Sequence, residues 1–115
     1  MSEPCLFCKI VNGTIPAKIV YSDDELVCIE DVNPVAPLHY LLITREHIVN
    51  TLALQASNDS LIGRLFRVGA QLARQKGVAE DGFRIVTNTN GAAGQSVFHI
   101  HFHLLAGRHL AWPPG

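Results

Sequence analysis

Residues 99–105 read His-Ile-His-Phe-His-Leu-Leu, so three of the six histidines fall at every second position with apolar residues between them. In a strand, residues two apart share a face. His99, His101 and His103 are therefore expected to line one surface, with Phe98, Ile100, Phe102 and Leu104 packing the other into a core. Three imidazoles buried under a helix would leave several ring nitrogens in need of partners, which makes an accessible cleft the expected setting. Two kinds of chemistry suit such a row. Neutral imidazole is a good zinc ligand. A side chain with a reference pKa of ~6.5 can also work as acid, base or nucleophile near neutral pH.

The segment just before the histidines bears on that choice. It reads Asn-Thr-Asn-Gly-Ala-Ala-Gly-Gln-Ser, residues 88–96. Asn88, Gly91, Gly94 and Ser96 supply an amide, bare backbone N–H groups and a hydroxyl, which are the donors that cradle a phosphate. A glycine-rich loop is often only a turn. Placed at the mouth of a histidine face, it points to phosphate chemistry with a histidine nucleophile.

The elements that must hold this strand and loop are legible in outline. Residues 5–11 are expected to form a short helix that stops at Asn12-Gly13, and Pro16 keeps Ile15 extended. The run IVYSDDELVCIED reads as a hairpin turning at Ser22-Asp23-Asp24. His39–Thr44 is apolar enough for a buried strand. Over 59–76, Leu61, Ile62, Leu65, Phe66, Gly69, Leu72 and Ala73 recur at three and four, the stripe of an amphipathic helix. Ser57 or Asp59 is the expected cap, with Gly77 as the stop. Gly82–Thr87 is a further strand. Strands, one long helix and strands again give an α+β class with a mostly antiparallel sheet.

Composition bounds the function. The 115 residues suffice for one domain with a single modest core. With 48% hydrophobic and 17% charged residues the chain is globular. A formal net charge of −1 lacks the basic field that nucleic acids or anionic membranes require, but permits a small phosphorylated ligand. No apolar run approaches a membrane span of ~20 residues. The opening MSEPCLFCKI has no basic region followed by a long apolar stretch, so no signal peptide is expected. The three cysteines, Cys5, Cys8 and Cys28, are an odd number that fits a reducing cytoplasm better than a disulfide framework. Cys5-x-x-Cys8 is also half a zinc site by spacing, or else two small buried hydrophobes on a short helix.

With these motifs in view, the chain resembles the histidine triad (HIT) superfamily, whose signature is His-φ-His-φ-His-φ-φ with φ apolar. The similarity extends through "CKIVNGTIPAKIVYSDD", "EDVNPVAPLHYLLI", "GQSVFHIHFHLLAGR" and the terminal "WPPG", covers residues 5–115, and favours the Hint branch. The dinucleoside-polyphosphate hydrolase branch continues its triad with Pro-Arg, where this chain has Ala106-Gly107-Arg108. The resemblance implies a five-stranded antiparallel sheet with one long and one short helix. It implies one HIT domain over 1–115, with a core of 5–108 and a tail of 109–115, and a homodimer whose two sheets join into ten strands. Trp112 of the tail is then expected to reach toward the partner's cleft.

The implied activity is a purine nucleoside phosphoramidase that cleaves the P–N bond of adenosine 5′-phosphoramidates. His101 is the implied nucleophile and forms a nucleotidyl-histidine. The His99 carbonyl holds one of its ring nitrogens. His103 contacts the phosphate and shares a proton with His39, Ser96 binds the leaving atom, and Asn88, Gly94 and Gln95 surround the phosphate. Asp31 is implied for the ribose hydroxyls, with Leu6, Phe7, Ile10, Ile29 and Val32 around the purine; the same apolar residues would serve equally as core. No cofactor is needed for the reaction. The resemblance further implies a structural zinc completed by His47 and His99 beside Cys5 and Cys8. A nucleotide-binding scaffold with little catalysis, or a nucleotidyl transferase using the same intermediate, is the alternative.

Overall fold

Asp23 and Asp24 separate strand β1 (Ile19–Ser22) from β2 (Leu26–Glu30) in the structure, a computed structural model that describes residues 5–115. The expected hairpin therefore forms where the turn residues put it. β3 (Leu38–Thr44), β4 (Phe83–Val86) and β5 (His101–Ala106) complete a five-stranded sheet in the order β1-β2-β3-β5-β4, with every neighbouring pair antiparallel. Every residue of the central strand β3 is buried, as its nearly unbroken apolar run requires when both faces are covered.

One face packs on the long helix α2 (Asp59–Gln75). Leu26, Cys28, Leu42, Phe102 and Leu104 from the sheet meet Leu61, Leu65, Val68 and Leu72 from the helix. A Cβ on Gly69 would lie 3.0 Å from Ile85 Cδ1 and 3.3 Å from Leu42 Cδ1, so the glycine lets the helix approach the sheet closely. The opposite face carries the short helix α1 (Leu6–Val11), whose Phe7 and Ile10 pack on Val27, Ile29, Leu41 and Ile43. β3 and β5 are in register with Ile43 opposite His101 and Leu41 opposite His103. Cross-strand partners share a face, so both histidines stand on the α1 side.

Three local expectations need correction. Neither Ser57 nor Asp59 caps α2: the N-cap position is Asn58, whose side-chain oxygen instead accepts from the Gln55 N–H in the preceding turn. Phe66 belongs to the exposed flank of the helix and touches the sheet only edge-on, 5.5 Å from Phe102 between ring centroids, while Val68 takes a core position. Phe98 is 47% exposed and does not reach the core. β5 begins only at His101, so the strand alternation does not extend back to residue 98.

The hairpin is tied to α2 through Arg64, which meets Asp23 at 2.8 Å and Glu25 at 3.5 Å. Asp23 accepts from Tyr21 Oη at 2.6 Å, Arg64 Nη2 at 2.8 Å and the N–H groups of Glu25 and Leu26. Burial alone would raise its pKa, but these donors outweigh it and hold the carboxyl well below the usual carboxylate range. The folded-state value is depressed, so the stabilisation is present above the ordinary ~3.9 and is lost as pH falls below it. Asp23→Ala is expected to lower unfolding stability by about 1–3 kcal/mol in urea melts at pH 7. The gap between variant and parent should narrow in melts at progressively more acidic pH.

No helix among the described residues is long and apolar enough to cross a membrane. Beyond β5 the tail is held by Arg84 of β4, whose Nη2 donates to the carbonyls of Leu110 and Ala111 at 3.3 and 3.0 Å. Trp112 projects outward, 81% exposed.

Candidate active site

His101 and His103 point from β5 to the α1 face as the strand period demands, but His99 does not join them on an open surface. It lies just before the strand and is fully buried. The expectation of three histidines along one accessible cleft is therefore replaced by two separate sites that share β5 and the residues before it.

Backbone hydrogen bonds assign the tautomers of His39, His99 and His101, because a carbonyl can only accept and a backbone N–H can only donate. His101 Nδ1 lies 2.7 Å from the His99 carbonyl and must donate to it, which leaves the Nε2 lone pair free. The same His101 carries its carbonyl 2.8 Å from Thr87 Oγ1, which donates to it. Phe7 from α1 packs edge-on against the His101 ring, with centroids 4.8 Å apart. Burial lowers the pKa of His101, against the opposing His99 hydrogen bond and the Asp31 charge, and this favours the neutral ring.

His103 and His39 form a pair across β5 and β3, with His103 Nδ1 2.9 Å from His39 Nε2. His39 Nδ1 accepts from the Val35 N–H at 3.1 Å. Asp31 Oδ2 lies 3.3 Å from His39 Nε2, and its other oxygen accepts from the Asn33 N–H at 2.7 Å. Burial pushes the His103 pKa down to about 4, helped by the neighbouring His101 and His39.

The loop ahead of β5 is organised by two buried amides. Gln95 Oε1 accepts from Asn50 Nδ2 at 3.1 Å and from the Asn90 N–H at 2.8 Å, and its Nε2 donates to the Val49 and Val97 carbonyls. Asn50 also donates to Asn90 Oδ1 at 3.0 Å. Gln95 thus holds the loop, and its side-chain groups are all engaged there. Gly94 stands in the left-handed region at φ 91°, a conformation that favours glycine. Asn88 is half-buried, while Gly91, Gly94 and Ser96 remain exposed. Asn50 and Thr87 were not anticipated from sequence. Their one signal, a polar residue beside an apolar run, is too common to single them out.

The apolar residues expected around a purine divide. Phe7, Ile10 and Ile29 are buried with Val27, Leu41 and Ile43, whereas Leu6 and Val32 are exposed, Val32 at 89%.

Among the described residues, two groups have metal-ligand chemistry: Cys5, Cys8, His47 and His99, and Asp31, His39 and His103. In the first, His99 Nε2 donates to the Thr44 carbonyl at 2.6 Å, which turns the Nδ1 lone pair inward. That atom lies 3.4 Å from Cys5 Sγ, 3.6 Å from Cys8 Sγ and 3.2 Å from His47 Nδ1, and Cys8 Sγ is 3.3 Å from His47 Nδ1. Zinc bonds of ~2.0–2.3 Å give a tetrahedron whose edges run ~3.3–3.8 Å, so these donors fit one zinc ion. The Thr44 carbonyl behind His99 is the usual partner that orients a ligating imidazole. The second group does not fit a metal. His39 Nε2 must carry a proton because Nδ1 accepts from Val35, so the atom facing Asp31 and His103 has no lone pair to give.

Comparison with known proteins bears on this arrangement. Residues 4–111 match a family model described as "Scavenger mRNA decapping enzyme C-term binding". An uncharacterized HIT-like protein of Synechococcus elongatus is 48% identical over 115 residues, all of both chains. The purine nucleoside phosphoramidase of Escherichia coli is 44% identical over 110 residues, 96% of this chain and 92% of that protein. Among solved structures, a HIT family hydrolase from Legionella pneumophila superposes with a TM-score of 0.96 at 41% identity, covering 97% of this chain and 100% of that one. Likeness of this extent spans the whole domain in sequence and in fold alike, and the chain belongs to the histidine triad, or HIT, family.

Proposed function

We propose that the protein is a purine nucleoside phosphoramidase that cleaves the P–N bond of adenosine 5′-phosphoramidates through a nucleotidyl-histidine on His101. The observation that carries this reading is the His101 tautomer. With Nδ1–H held by the His99 carbonyl, Nε2 presents its lone pair without any base to free it. Nε2 forms a bond to the α-phosphorus as the P–N bond breaks, and the leaving amine takes up a proton, a role we assign to the Ser96 hydroxyl. Water then attacks phosphorus and returns a proton to the Ser96 oxygen, the bond to Nε2 breaks, and AMP leaves with His101 neutral again. The likeness to a phosphoramidase over nearly the whole chain supports the reaction class.

In this reading His103, Asn88 and the Gly94 backbone contact phosphate oxygens, and Gln95 holds their loop in shape. Asp31 accepts from the ribose hydroxyls. Leu6, Phe7 and Val32 face the purine, with Ile10 and Ile29 as the packed floor beneath. A fluorogenic adenosine phosphoramidate tests the proposal. AMP and free amine are the expected products, whether or not inorganic phosphate or a sugar phosphate is added. AMP binding without turnover would instead indicate a scaffold, and a product formed on the added acceptor would indicate a transferase.

A zinc ion on Cys5, Cys8, His47 and His99 belongs to the same reading, tying α1 to the sheet beneath the catalytic strand. The ion has a structural role, and the reaction needs no cofactor. Unpaired cysteines in that set fit a cytoplasmic setting.

Two copies pair along an exposed sheet edge into a ten-stranded sheet, which hides backbone groups that an edge leaves open. The tail, anchored by Arg84 and carrying the exposed Trp112, then reaches the partner's leaving-group side. Removing residues 111–115 is expected to reorder the preference among amine leaving groups while the dimer persists in sedimentation. An unchanged substrate ranking would deny the tail this role.

A further inference from the structure

One of the two protons of the His39–His103 pair lies between the two rings, with Asp31 beside it. His39 Nδ1 accepts from the Val35 N–H, so neutral His39 carries its proton on Nε2. That N–H pairs with His103 Nδ1 at 2.9 Å, and the Asp31 carboxylate stands beside it with Oδ2 3.3 Å from the same nitrogen, close enough for its charge to pull on the proton. With Nδ1 accepting, His103 carries its own proton on Nε2. A third proton has no place in the pair. On His39 Nδ1 it would meet the Val35 N–H, and on His103 Nδ1 it would meet the proton of His39. The titratable groups facing the pair are Asp31 from the end of β2 and His101 on β5. Burial lowers the pKa of His39 against the pull of Asp31, and His103 is pushed down to about 4. At neutral pH His103 is therefore an uncharged N–H donor, and its strength depends on how fully His39 donates to it.

We propose that Asp31 is a positioning residue for the chemistry, which sets the donor strength of His103 through His39 and so couples ribose capture to phosphate capture. The proposal rests on the reading of this site as one for nucleoside phosphoramidates. The Asp31 carboxylate is fixed in orientation by the Asn33 N–H and its side chain is 18% exposed, so Oδ2 stays within reach of a ligand. Ribose hydroxyls that donate to this carboxylate reduce its claim on the His39 proton. His39 Nε2–H, relieved of that pull, then donates more strongly to His103 Nδ1, and the His103 Nε2–H is polarised into a better donor. Charge develops on the phosphoryl oxygens as the P–N bond breaks, so the stronger donor acts most in the transition state. Ribose binding is thereby expressed in kcat and not in KM alone.

The test compares ribo- and 2′-deoxyadenosine phosphoramidates on the wild type, Asp31→Ala and Asp31→Asn. In the wild type the deoxy substrate is expected to lose roughly three- to tenfold in kcat, the scale of one neutral hydrogen bond, in addition to a higher KM. In Asp31→Ala the two kcat values should agree within about twofold, with Asp31→Asn as the check should the alanine variant fold poorly. In parallel, imidazole ¹⁵N spectra of the ligand-free protein should show both His39 and His103 as Nε2–H tautomers, and the His39 Nε2–H proton signal should move in Asp31→Ala. A deoxy defect confined to KM, or His103 found as the Nδ1–H tautomer, overturns the coupling. If neither phosphoramidate turns over, the proposed function fails instead. The spectra then decide whether Asp31 still governs the histidine pair.

Discussion

His101→Ala is expected to lower turnover of an adenosine phosphoramidate by at least about a thousandfold while AMP still binds. The loss is large because, in the proposed reaction, the side chain supplies the atom that makes the new bond to phosphorus, and no neighbour can take its place. His99 has Nε2 engaged with the Thr44 carbonyl and Nδ1 among the cysteines. His103 has Nδ1 engaged with His39 and carries a proton on its other nitrogen. Neither flanking ring offers a free lone pair toward a phosphate. AMP binding should survive because the proposed phosphate and ribose contacts come from the 88–96 loop, His103 and Asp31. His103→Ala and His39→Ala remove a donor and its support and should slow the reaction less. Quenching without acid during turnover of a labelled adenosine phosphoramidate should leave label on a peptide containing residues 99–103. Label that persists in His101→Ala, or a wild type that turns over without acquiring label, would sink the covalent route.

Elemental analysis of protein purified without a histidine tag is expected to find about one zinc per chain, with the metal lost in Cys5→Ser. The argument is steric and electronic together. Four donors from α1, the segment after β3 and the residue before Ile100 converge at spacings that a zinc tetrahedron spans, and His99 turns a lone pair into their midst. Without an ion, His47 Nδ1 and His99 Nδ1 face each other at 3.2 Å with at most one proton between them. Zinc that binds only the folded arrangement stabilises it by mass action. Chelation is therefore expected to lower Tm by roughly 10 °C, the scale of a few kcal/mol in a domain of this size. Metal-free protein whose melting is indifferent to chelators would remove the ion from the account. The site includes His99, just ahead of the strand that carries the proposed nucleophile, so chelation should also reduce activity indirectly by loosening the His99 carbonyl that orients His101.

Local sequence determined the elements and the chemistry on offer. The helical stripe of 59–76, the turn at Asp23-Asp24 and the apolar run of β3 each depend on neighbours within a few positions, and each formed where its pattern predicts. The two-residue period put His101 and His103 on one face and Ile100, Phe102 and Leu104 in the core. That pattern did not disclose where the strand begins, because a strand lasts only as long as its partner pairs with it. The pairing of β3 with β5 ends at Ile43 and His101, so His99 and Phe98 leave the alternation, one into a buried ligand cluster and the other into solvent. Tertiary structure alone joined Asn50 to Gln95 and Asp31 to His39, and it gave distances to the Cys5–His99 and His39–His103 pairs that the family resemblance implies. These partners are far apart in the chain or on different elements, and their distances are set by sheet register and helix docking. A tautomer, and with it the division of labour among three histidines of one motif, is a property of those contacts, since an imidazole offers the same two nitrogens wherever it stands in a sequence.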